Sequence, residues 1–184
     1  MGNSDFSTGA FAAEYGNALS GIFDISLRKG NNEKREFTVQ AGVLGLDIAM
    51  EGPFKKGYTG SYLVNYRYST LGLVSEIVPL GDNITTFQDV SFNVYLPTKK
   101  FGTFGIFGLG GLSSDSWAAT DDTLLWQTDQ GKQYQVEFMS NTGVVGVWHK
   151  GRFGEKGCLK TNIALSGTNN GDFGAIDSDR IEIN

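Results

Sequence analysis

The feature that most limits what this chain can fold into is an alternation of apolar and polar residues with a period of two, recurring along most of its length. Successive side chains of an extended strand point to opposite faces, so this alternation gives each strand one apolar and one polar side. The clearest instance sets Tyr62, Val64, Tyr66 and Tyr68 against Ser61, Asn65, Arg67 and Ser69, with Leu63 the single apolar residue on the polar side. Helical spacing is scarce: its best stretch, residues 10–19, is cut by Gly16 before two turns are complete. The pattern predicts an all-β chain.

Seven strands are expected, over residues 35–41, 46–51, 61–69, 89–96, 103–112, 134–149 and 158–166. Short turns fall at 42–45, 52–57, 97–102 and 150–157, where Gly, Pro and Lys supply the turn chemistry. Irregular or polar stretches at 74–85, 113–132 and around Asn169 read as longer loops. After the first reversal the connections therefore alternate between short and long, as in an antiparallel up-and-down meander with short turns at one end and long loops at the other. Turns near Pro53, Lys99 and Arg152 then share one end, and loops around Val78, Asp122 and Asn169 the other.

Periodicity does not say which face meets water. In a soluble barrel or sandwich the apolar side points inward; in a membrane barrel it points to lipid and the polar side lines a hydrated lumen. Mid-strand polar groups (Asp47, Asn65, Arg67, Asp89, Asn93 and Lys160), tyrosines on the apolar side and strands of ten residues or more favour the membrane arrangement. The fold class expected is a partial transmembrane β-barrel, seven strands of a larger one. A soluble β-barrel or sandwich holding an apolar ligand, with Tyr62, Tyr66, Phe92 and Val94 buried, and a small structural outer-membrane barrel of about eight strands are the alternatives.

Composition removes other classes. Gly contributes 26 residues and Pro only 3, so the glycines lie within apolar runs and not in a flexible linker. The formal charge is −5 and basic residues cluster no further than pairs such as Lys55-Lys56, which leaves no footprint for nucleic acid. One cysteine, Cys158, and one histidine, His149, make neither a disulfide nor a Cys/His zinc site. No run of 18 apolar residues occurs, and no leader of the secretory type opens the chain, which would put the native start upstream.

The segment Glu14-Tyr15-Gly16-Asn17-Ala18-Leu19-Ser20-Gly21-Ile22-Phe23-Asp24-Ile25-Ser26-Leu27-Arg28-Lys29-Gly30 resembles the end of the plug domain of TonB-dependent outer-membrane receptors. Its plug-like features are Tyr15-Gly16, the small residues, Gly21 and a strand ending in basic residues. Gly52-Pro53-Phe54 and Asn65-Tyr66-Arg67-Tyr68-Ser69 resemble the first barrel hairpins, and the similarity covers most of residues 11–112. It implies a plug end and connection over 1–33 and the start of the barrel over 34–184. It also implies the outer membrane of a Gram-negative bacterium, uptake of a siderophore, cobalamin or oligosaccharide, energy from TonB through an upstream segment, and a surface lipoprotein as a further partner. No TonB-contacting box precedes Phe6, and family barrels have about 22 strands. Seven strands cannot close around a plug, so this piece is not competent for transport alone.

The candidate site residues follow. Asn65, Arg67, Asp89 and Asn93 are expected on the lumen side, with Arg67 paired to Asp89. Trp117 and Trp126, beside Asp121 and Asp122, are candidate ligand contacts in an outer loop; interface anchoring or loop packing are the alternatives. His149 reads as a turn residue and not a catalytic base. Asp177, Asp179 and Glu182 lack the spacing of a calcium loop, and Gly105, Gly108, Gly110 and Gly111 lack the helix a dinucleotide fingerprint needs. Asn83-Ile84-Thr85 is a glycosylation sequon only in a secretory context. No nucleophile and base, paired carboxylates or phosphate loop stands out, so neither an enzyme nor a cofactor or metal is expected.

Overall fold

A computed structural model describes residues 4–9, 11–12, 15–16, 20–71, 83–120, 122–127, 134–154 and 157–176. Two short strands, β1 (Ser4–Ser7) and β2 (Ile22–Ile25), pair antiparallel as a ribbon of their own. The remaining strands are β3 (Glu36–Ala41), β4 (Leu46–Pro53), β5 (Ser61–Tyr68), β6 (Asn83–Pro97), β7 (Thr103–Trp117), β8 (Tyr134–Phe153) and β9 (Gly157–Ile176). They form one seven-stranded antiparallel sheet in sequence order, an up-and-down meander. A single helical turn, α1 (Thr123–Trp126), lies between β7 and β8, with the Asp122 carboxylate accepting from the Leu124 N–H at 3.0 Å as its cap.

Local chemistry sets the reversals. Gly42 and Gly45 exchange backbone bonds of 2.9 and 3.3 Å, closing a two-residue hairpin on Val43 and Leu44. Pro97, which has no N–H to donate, ends β6. Thr98 then closes the turn, its N–H and Oγ1 both donating to the Gly102 carbonyl at 2.8 and 2.7 Å.

Register separates two unlike faces. One cross-strand row runs Phe37, Met50, Val64, Phe92, Gly108, Val145 and Leu165. The neighbouring row, on the opposite face, runs Thr38, Ala49, Asn65, Ser91, Leu109, Val144 and Ser166. The apolar face is left uncovered: Phe37 is 71% exposed and Leu165 75%. Burial is inverted relative to a water-soluble domain, where apolar side chains are the most often hidden. Among the described residues Leu63 and Pro53 are the buried apolar side chains, whereas Ser61, Ser69 and Asn93 are all buried.

The sheet does not close on itself. Among the described residues β3 and β9 each pair on one side only, leaving two free edges. No helix is long and apolar enough to cross a membrane, which says nothing of strands.

Several expected boundaries are corrected. β6 starts at Asn83, not 89, so the sequon begins a strand; β7 runs to Trp117, not 112, so residues 113–117 are not loop; β9 runs to Ile176, so Asn169 is mid-strand. Sequence alternation fades there because polar and small residues stand on both faces and the few large apolar ones, such as Ile84, Phe87, Trp117 and Phe173, do not recur with a period of two, and pairing across strands takes over as the ordering force. Examples are Thr85 Oγ1 bonded to Asp115 and Ser140 Oγ to Asn170 at 2.9 Å. The stretches 72–82 and 177–184, with Val78, Asp177, Asp179 and Glu182, lie outside the described residues, as do Asp121 and Glu155.

Candidate functional site on the polar face

Residues 26–31, which follow β2, cross the polar face over β4, β5 and β6. Gly30 makes this approach sterically feasible. A Cβ on it would fall 2.1 Å from the Tyr62 carbonyl oxygen, so any side chain would lift the segment off the sheet.

Around that contact the segment is bolted down by polar groups. Arg28 meets Glu51 with both forks of its guanidinium, Nη1 to Oε2 at 2.7 Å and Nη2 to Oε1 at 2.6 Å. Glu51 Oε2 also accepts the Asn31 N–H at 2.7 Å. The buried Asn93 donates from Nδ2 to the Arg28 carbonyl at 2.9 Å, which gives a sheltered amide the partner it needs. Asn31 in turn accepts from the N–H groups of Glu33 and Lys34 at 2.8 and 3.2 Å and donates to Glu36 at 2.9 Å. The hydrogen bonds that Arg28 donates to Glu51 hold its guanidinium above even its ordinary high range, and the one that Lys34 donates to Glu36 raises the Lys34 ammonium in the same way.

The other lumen-side candidates lie on the same face. Asn65 donates to Asp47 at 2.9 Å, and Arg67 reaches the Asp89 carboxylate from Nε and Nη2, both at 2.8 Å. A cleft of about 620 Å³ opens beside the segment, lined by Arg28, Asp47, Asn65, Arg67 and Asp89 among others. Both cations in it, Arg28 and Arg67, have a carboxylate partner, so it is a polar wall with its charges paired. Glu51 and Asn31, which hold the segment, carry no signal in the sequence beyond Glu51 lying at an odd, polar position of its strand. Only the tertiary approach of Gly30 reveals them.

The plug-like residues sit with the small ribbon. Tyr15 donates to Asp24 of β2 at 3.3 Å, and Gly16 follows it in a turn. Gly21 lies against the Phe6 ring, which a Cβ would meet at 3.3 Å; it takes no positive φ, so room and not backbone freedom is what it supplies.

Trp117 and Trp126 are not brought together as a pair in one loop. Trp117 ends β7, in register with Asn83 and Val136. Trp126 closes α1, its Nε1 donating to the Thr120 carbonyl at 3.0 Å within its own connection. His149 stacks on Phe104 with centroids 4.4 Å apart, and its Nε2 contacts the Phe101 carbonyl at 2.5 Å. Gly105 and Gly108 lie beneath the rings of Trp148 and Phe92. Among the described residues no three His, Cys, Asp or Glu side chains gather to hold a metal ion.

What this arrangement can do is hold a crossing peptide against a polar wall by charge and amide contacts. Compared with protein-family models, curated proteins and solved structures, the chain finds no match.

Proposed function

We propose that this chain is part of an outer-membrane β-barrel of the TonB-dependent receptor type, with residues 26–31 the end of a plug seated on the inner wall. One observation carries the proposal: the sheet exposes its apolar face and shelters polar groups on the other. An uncovered apolar sheet of seven strands is costly in water and stable against hydrocarbon, and a polar wall suits a hydrated lumen. The tyrosines Tyr66 and Tyr68 toward the long-loop end of the apolar face, with Phe104 and Tyr62 toward the short turns, are placed as interfacial aromatics would be. In this reading further strands pair with β3 and β9, because open edges in lipid cost several kcal/mol per unpaired group. The transported ligand is a siderophore, cobalamin or oligosaccharide, with TonB engaging an upstream segment and a lipoprotein the outer surface.

Fluorophores on single cysteines in lipid vesicles test it, with Cys158 replaced by Ser. Labels at Val147→Cys and Ile163→Cys are expected to be quenched by brominated lipid tails and to resist iodide; a label at Ser166→Cys is expected to do the reverse. Equal iodide quenching at all three positions would sink the membrane reading.

A further inference from the structure

Three cations on or beside the polar face are matched to carboxylates, whereas among the described residues Lys29, Lys150, Lys160 and Arg152 are not. Arg28 has Glu51, Arg67 has Asp89 and, on the approach to β3, Lys34 has Glu36. Lys150 and Lys160 have each other: they are direct cross-strand partners of β8 and β9, with both side chains on the polar face. Directly opposed strand residues have Cβ atoms about 4.5–5.5 Å apart, and like charges so placed repel. Lys29, from the crossing segment, lines a second cleft together with these two lysines, its Nζ 3.9 Å from the centre of the Tyr95 ring. No carboxylate among the described residues lies within ion-pair distance of Lys29, Lys150 or Lys160.

An aromatic platform adjoins these ammonium groups. Tyr95, Gly105, Trp148 and Asn162 form one cross-strand row, and Thr103, Lys150 and Lys160 the next toward the short turns. Because Gly105 has no side chain, the Trp148 ring lies across it; a Cβ there would fall 2.1 Å from the indole. One side of Trp148 is thus packed on backbone, and the ring borders a cleft of about 540 Å³ that Lys29, Tyr95, Lys150, Lys160 and Asn162 also line. A planar ring stacked on such a platform gains affinity whatever its substituents.

We propose that this cleft binds a small solute bearing an oxyanion, carboxylate or phosphate, on a planar ring, the oxyanion between Lys150 and Lys160 and the ring against Trp148. An oxyanion turns the repulsion of the lysine pair into two charge-assisted hydrogen bonds, which inorganic phosphate alone would also make. The ring adds the contact that separates the two. The cleft is on the polar face whatever covers the other one, so the inference goes beyond the membrane reading and does not rest on it.

Calorimetric titration of the whole protein in neutral detergent at fixed ionic strength tests it, with phenyl phosphate, inorganic phosphate and phenol as probes. Circular dichroism of each sample checks that the sheet is intact. Phenyl phosphate is expected to bind about tenfold more weakly to the K150Q/K160Q variant, whose exchanges relieve a repulsion and leave the fold in place. W148L is expected to erase most of the preference for phenyl phosphate over inorganic phosphate. Equal binding to wild type and K150Q/K160Q overturns the site, as does phenol binding as tightly as phenyl phosphate. If a carboxylate of the protein's own chain fills the cleft, wild type ignores phenyl phosphate and K150Q/K160Q melts at lower temperature; that result also overturns it.

Discussion

Replacing Glu51 by Gln keeps the shape of the side chain and removes the charge on which the crossing segment depends. Three hydrogen bonds end on this carboxylate, two from Arg28 and one from the Asn31 N–H. Sheltered bonds to a charged group are each worth about 1.5–3 kcal/mol. Here the Arg28 side chain is 46% exposed and that of Glu51 14%, so solvent screening reduces the ion pair to about 1 kcal/mol. The Asn31 N–H keeps an acceptor in Gln, but a neutral one, at a loss of about another 1 kcal/mol. The total, about 2 kcal/mol, is a shift of about 30-fold toward the undocked segment. Hydrogen exchange at the Asn31 amide reads that opening directly. Protection there is expected to fall about 30-fold in E51Q while amides in the centres of β7 and β8 keep theirs. A combined R28Q/E51Q variant should cost less than the sum of the two, since each exchange breaks the same bridge. Unchanged protection at Asn31 in E51Q would refute the idea that Glu51 fastens the segment.

Gly30→Ala is expected to abolish Asn31 protection outright without melting the sheet, because the added methyl meets backbone at Tyr62 and not a side chain that could move; intact protection would contradict it. On the apolar face Ile163, 67% exposed, is expected to tolerate Lys poorly in lipid vesicles, at about 2–4 kcal/mol in denaturant unfolding, while Ser166→Lys on the polar face costs little. Equal costs at the two positions would contradict the assignment of faces. Arg67→Ala is expected to lower unfolding stability by less than about 1 kcal/mol, since the Arg67 and Asp89 side chains are 53% and 32% exposed. A loss well above that would show that the contacts of Arg67 with Asp89 and with the Phe87 ring, 5.2 Å away, are not screened as exposed ones are.

The fold was readable wherever the two faces of a strand differ in polarity. Residues 61–69 and 89–96 announce their facing because Tyr, Val and Phe alternate with Asn, Arg and Asp. The same strand β6 is silent over residues 83–88, where Ile84 and Phe87 fall on opposite faces among Asn, Thr and Gln, and β9 over 167–172, where Gly, Thr, Asn and Asp occupy both faces. There the order comes from backbone pairing with a distant strand, and a period within one segment cannot report it. The site divides in the same way. Asn65, Arg67, Asp89 and Asn93 share a face because the period puts them there, and Arg67 and Asp89 are adjacent because the register of β5 and β6 makes them partners. The bridge from Arg28 to Glu51 spans two parts of the chain whose meeting depends on Gly30 nesting against Tyr62, which no local pattern encodes.

The two flanks of the sheet are not equivalent. β3 offers six residues to a newcomer, whereas β9 offers twenty, about ten of which turn both an amide hydrogen and a carbonyl outward. An open ladder of that length is a template for any extended chain that meets it. In water, two molecules would zip together flank to flank along β9 long before β3 could capture anything, so clumping of the chain should begin there, and a proline set into the middle of β9 should delay it.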